Sequence, residues 1–224
     1  LMNRGTRSKT PEQLEEAIQQ LGADIYISAD KEAINISGST LAKSYQETMA
    51  LVSEMILEPR WDEMEFDLIK ESILSEIKQQ ASNPRVVAEL EFDKLIYGKG
   101  HILANDSLGS DTSVSAIELD DLKNYYKNFI SPALTSLHVV GDIDQKSVLD
   151  SLSKLQNNWK PTSAKLPEVS TPAQPEKAQV YFYDIPKAKQ SMIRIGYPSL
   201  KETDADFYPA TVMNYRLGGG GFAS

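Results

Sequence analysis

Two alternating runs near the start of the chain limit its fold more than any other feature. Ile25 and Ile27 alternate with Tyr26 and Ser28, and Ile34 and Ile36 alternate with Asn35 and Ser37. Successive strand residues face opposite sides, so each run offers one apolar face. Asp30-Lys31 between them predicts a hairpin turn. On either side of the hairpin the apolar period becomes helical. Before it, Thr10 caps a helix, Pro11 takes the first helical position and Gln13 closes a capping box. Leu14, Ala17, Ile18 and Leu21 then keep helical spacing as far as Gly22.

After the hairpin, Ser44 to Glu47 reads as a second capping box, with Met49, Val52, Met55 and Ile56 on one helix face and Pro59 as the stop. Asp62 caps a longer helix whose inward stripe is Phe66, Ile69, Ile73 and Ile77; Asn83-Pro84 breaks it. Residues 86–97 give another helix, ended by Gly98, and 117–129 a fifth, acidic at its start as the helix dipole favours. SLHVVGDI, 136–143, is expected as a buried strand, and 148–159 as a helix. From 160 to 177 the periodicity vanishes, which marks a linker. AQVYFYDIP at 178–186 and QSMIRIGYP at 190–198 read as strands, and 207–217 as a helix. Helices segregated from antiparallel hairpins predict an α+β fold. Residues 1–160 are expected as a first domain, 161–177 as a linker, and 178–224 as the start of a second, similar domain.

Composition removes several functions. With no cysteine, disulfides, thiolate nucleophiles and Cys-ligated zinc are excluded. A net charge of -9 argues against nucleic-acid or anionic-membrane binding, which draws on Lys and Arg. No apolar run approaches the ~20 residues of a membrane span. The two histidines do not make a zinc site, which takes three or four ligands. His101 reads as a solvated loop residue and His138 as a packed strand residue. Glu76 borders the buried stripe of its helix. Its plainest reading is a solvated acidic face with Lys70 and Lys78 as partners.

The chain ends in LGGGGFAS. A phosphate loop places its glycines after a strand and a Lys-Ser/Thr pair after them. Here the glycines follow a helix, and Phe222-Ala223 stand where lysine belongs. The dinucleotide fingerprint fails on the same order of elements. A helix C-cap uses one glycine, or two. Close backbone approach is the remaining reading for Gly218, Gly219, Gly220 and Gly221.

Several stretches together resemble the pitrilysin/insulinase/mitochondrial processing peptidase superfamily of zinc metallopeptidases. They are LMNRGTRSKTPEQLEEAIQQLGADI at 1–25, EPRWDEMEFDLIKESILSEIKQQASNP at 58–84, YGKGH at 97–101 and IELDDLKNYYKNFISPALTSLHVVGDI at 117–143. GYPSL at 196–200 and MNYRLGGGGFAS at 213–224 continue the match. The resemblance implies domains of the LuxS/processing-peptidase-like metallohydrolase type, an antiparallel sheet with helices packed on one face, the second domain here being truncated. In that family an HxxEH motif supplies two zinc ligands and the glutamate that activates water, and a glutamate some way downstream supplies the third ligand.

No HxxEH lies in this sequence. LMNRGT and the glycine run are similar to the non-catalytic halves, in which a glycine-rich loop faces the chamber and contacts substrate. The resemblance therefore implies a fragment of a non-catalytic half with no cofactor of its own. Zinc and catalysis would belong to a partner half, in the same chain or another subunit. A peptide or protein would be the substrate, held by Gly218, Gly219, Gly220 and Gly221. Two alternatives stay open: a catalytic half, with HxxEH just before Leu1 and Glu76 as third ligand, or a non-proteolytic scaffold. The compartment is open between bacterial envelope and cytoplasm, with the envelope favoured.

Overall fold

The structure, a computed structural model, describes residues 1–98, 100–173, 176–186 and 188–220. The chain divides into two compact units. The first joins Leu1–Asn83 to Asn105–Val169; the second joins Pro84–Ala104 to the described residues from Ser170 onward.

In the first unit, α1 (Pro11–Gln20) begins as its sequence dictates. The Gln13 N–H donates to Thr10 Oγ1, and the Thr10 N–H donates to Gln13 Oε1. Strands β1 (Asp24–Ala29) and β2 (Ile34–Ser39) pair antiparallel, with Asp24 opposite Ser39 and Ile27 opposite Ile36. Asp30 closes the turn, its Oδ1 accepting from the N–H groups of Glu32 and Ala33. Helix α2 (Tyr45–Leu57) supplies the other wall of the core. Leu14, Ile18, Ala23, Leu51 and Met55 are buried together, with Ile25 and Ile27 packed against them. Each fully buried Leu or Met contributes about 1.5–3 kcal/mol, so this small cluster is what holds hairpin and helices as one body.

The start of α2 differs from expectation. A 3-10 turn, Ala42–Ser44, runs straight into it, leaving Ser44 at φ -100° and ψ 4° without a side-chain capping bond. A cap needs extended backbone to aim its oxygen at the helix. The Ser44 carbonyl instead accepts from the Thr48 hydroxyl at 2.8 Å.

Asp62 caps α3 (Glu63–Gln80), its Oδ1 accepting from Met64 and Glu65 N–H at 3.0 and 3.2 Å. Phe66, Ile69, Ile73 and Ile77 lie on its half-buried side. Helix α4 (Pro84–Tyr97) belongs to the second unit. A further helix, α5 (Asp111–Ala116), was not foreseen; a reciprocal Ser110–Ser113 capping box starts it. Lys70 reaches from α3 to donate to the carbonyls of Ser115 and Ile117, tying the two helices together. Helix α6 (Leu119–Phe129) follows, and the expected helix over 148–159 divides into α7 (Gln145–Ser151) and α8 (Ser153–Asn158).

In the second unit, Gly98 ends α4 and a 3-10 turn, Ile102–Ala104, packs back on it. Arg194 pairs with Glu89 of α4 at 3.0 Å, and α9 (Phe207–Asn214) leads into the glycines. Three segments expected as strands are not in ladders. Among the described residues the sheet holds β1 and β2 alone. Residues 136–140 are largely exposed, with Val140 at 100%, and the same holds for 180–183 and 192–195, with Phe182 at 89% and Ile195 at 93%. Alternation supplies an apolar face, but a strand also needs a neighbour for its N–H and C=O groups. None of these runs finds one among the described residues.

Candidate functional site

Beyond α9 the backbone widens into a single π-type turn, Tyr215–Gly219, and Gly218 adopts φ +123°, where a side chain is strained. A Cβ at Gly219 would lie 2.8 Å from Asn214 Nδ2, and one at Gly220 would lie 2.6 Å from the Tyr215 ring. The three described glycines therefore have separate uses: one permits the turn, and two let the loop fold against the end of its own helix. What these glycines approach among the described residues is Asn214, the last residue of α9, and Tyr215 beside it. Gly221, the fourth of the expected set, lies outside the described residues.

Glu76 is exposed on α3, and its Oε1 accepts from Gln80 Nε2 at 3.4 Å. Among the described residues, no three His, Cys, Asp or Glu side chains gather closely enough to hold a metal ion.

Both histidines are placed differently from expectation. His101 is buried. The Leu103 N–H donates to its Nδ1 at 3.1 Å, so Nε2 carries the proton and donates to the Ser170 carbonyl at 2.9 Å. Its ring stacks on Tyr97 with centroids 5.1 Å apart. His101 thus pins a glycine-flanked loop rather than facing water. His138 is exposed, because the run that was to bury it has no ladder.

Sequence reasoning missed a polar cluster on α2. The Glu54 carboxylate accepts from Thr6 Oγ1 at 2.5 Å, from Ser8 Oγ and from Lys9 Nζ at 2.8 and 3.0 Å. Partial burial pushes the Glu54 pKa up, but hydrogen bonds from Lys9, Ser8 and Thr6 and the Lys9 charge outweigh it, bringing it to about 2. The cluster clamps the N-terminal segment to α2. A spacing of more than forty residues leaves no local sequence signal for it.

The comparisons with known proteins extend along most of the chain. Residues 116–224 match the Peptidase M16 inactive domain. The chain is 22% identical over 219 residues to a Bacillus subtilis protein named uncharacterized zinc protease YmxG, covering 96% of this chain and 51% of that protein. It is 24% identical over 223 residues to the Helicobacter pylori non-peptidase homolog YmxG, covering 98% and 50%. Among solved structures, an M16 peptidase inactive domain from Pseudomonas fluorescens superposes with a TM-score of 0.71 at 24% identity, over 78% of this chain and 42% of that one.

The family resemblance is borne out.

This mixture of helices with a small antiparallel sheet is the fold likeness to the M16 inactive domain. The chain spans about half the length of the curated relatives it matches.

Proposed function

We propose that the chain is part of the non-catalytic half of an M16-type zinc peptidase and forms a wall of its peptide-binding chamber. The observation that carries this reading is the match of residues 116–224 to the inactive domain. The likeness to a protein named as a non-peptidase homologue supports it. On this reading zinc and the water-activating glutamate belong to a catalytic half, in the same polypeptide or a second subunit, and the substrate is a peptide or protein.

The wall contributes binding, not bond cleavage. Gly218, Gly219 and Gly220 present backbone without side chains, the surface against which an extended peptide can lie and exchange main-chain hydrogen bonds. Gly220→Val in the intact, catalytically competent assembly tests this. The added side chain meets the Tyr215 ring and displaces the loop. The expected result is a KM for peptide substrate raised by about three- to tenfold, as one or two hydrogen bonds are lost, with zinc content unchanged. Unaltered kinetics would remove the loop from the substrate's path.

A further inference from the structure

Arg7, Arg60, Trp61, Asp62, Glu63 and Met64 line a cavity of about 540 Å³ at the start of α3. On a chain of net charge -9, two arginines, Arg7 and Arg60, line this one cavity, and Arg4 stands three residues before the first of them. Two of the three are engaged. Arg4 pairs with Glu65 at 3.7 Å, and Arg60 with Asp62 at 3.2 Å. The Asp62 carboxylate also caps α3; the Glu65 N–H, then Arg60, hold its pKa below the usual carboxylate range. Arg7 differs. Its backbone N–H donates to the Glu58 carbonyl at 2.8 Å, fixing its place, while its guanidinium has no partner among the described residues.

Beside it stands Trp61 at φ +55°, a conformation uncommon for a bulky residue. Its ring meets Tyr126 edge-on, centroids 5.4 Å apart, and the Tyr126 hydroxyl donates to the Ile56 carbonyl. Met64, 75% exposed, completes the apolar side. Glu63 is the opposing charge at the rim.

We propose that this cavity binds a peptide carboxylate with an apolar residue next to it. The Arg7 guanidinium takes the carboxylate, since its planar fork matches two oxygens at once. Trp61 and Met64 take the apolar side chain, one rigid and one adaptable. The carboxylate comes either from a chain end or from an Asp or Glu side chain. This assignment is independent of the glycine loop, so either can fail alone.

The test is calorimetric binding to the intact protein, with a chelator present so that no peptide is cut. Three Leu/Phe hexapeptides serve as probes: a free C-terminal acid, its amide, and an amide with one internal Glu. At least one carboxylate peptide should bind about tenfold more tightly than the neutral amide, the worth of one charge-assisted pair. The tighter of the two identifies the source of the carboxylate. Arg7→Gln should erase the preference, and Glu63→Gln should strengthen it by removing a like charge. Equal binding of all three peptides, binding of none, or a preference that survives Arg7→Gln overturns the proposal. Should Arg7→Gln fail to fold, the exposed Glu63→Gln decides: a carboxylate preference it leaves unchanged overturns it.

Discussion

Glu54 joins residues that lie far apart in sequence, and its charge is part of how it does so. Its unfolded value is 4.5 and its folded value about 2. A depressed carboxylate stabilises the fold above the unfolded value and loses that contribution as pH falls through the folded one. The window is therefore from about pH 4.5 down to about pH 2. Glu54→Gln should cost roughly 1–3 kcal/mol at pH 7, the range for unsettling charged hydrogen bonds. Urea unfolding of wild type and variant across pH 7 to 2 measures this, and the difference should close at the acid end. A difference that does not change with pH would contradict the role given to the carboxylate. His101 shows the opposite error of sequence reading. One histidine beside glycines looks solvated, yet its two nitrogens are both satisfied by backbone groups that no local pattern announces.

At the scale of elements, what was legible had local causes. The capping box at Thr10, the alternation meeting at Asp30 and the cap at Asp62 each act within four residues, and each stands as read. Ser44 carried the same signature and does not cap, because the 3-10 turn before it sets its backbone first. Helix α5 lies outside the usual signature because Ser110 and Ser113 form a serine version of the box, whose third position ordinarily carries Glu or Gln. Ser110→Ala should lower stability by about 1 kcal/mol, the usual worth of a cap. A urea midpoint that does not move would show that α5 is held by Lys70 and packing alone. The unladdered runs at 136–140, 180–183 and 192–195 failed for another reason. Alternation reports a strand's faces, whereas its existence depends on a neighbour elsewhere in the molecule.

For the whole molecule, the family resemblance was legible because many weak stretches keep their order along the chain, and the similar proteins match 96% and 98% of it. The candidate site was legible only in part. The glycines announced a close approach, and among the described residues what they approach is Asn214 and Tyr215, five residues back along the chain. The cavity around Arg7 and Trp61 joins two segments distant in sequence and had no signature at all. On the proposed reading, this part of the protein holds no zinc. Glu76 is the residue at which it is tested, being exposed and bonded only to Gln80 among the described residues, so that Glu76→Gln should leave folding intact. The decisive measurement is the zinc stoichiometry of the intact protein with and without Glu76→Gln. A non-catalytic half predicts the same metal content in both. Loss of zinc from the variant would make Glu76 a metal ligand and this chain part of the catalytic half.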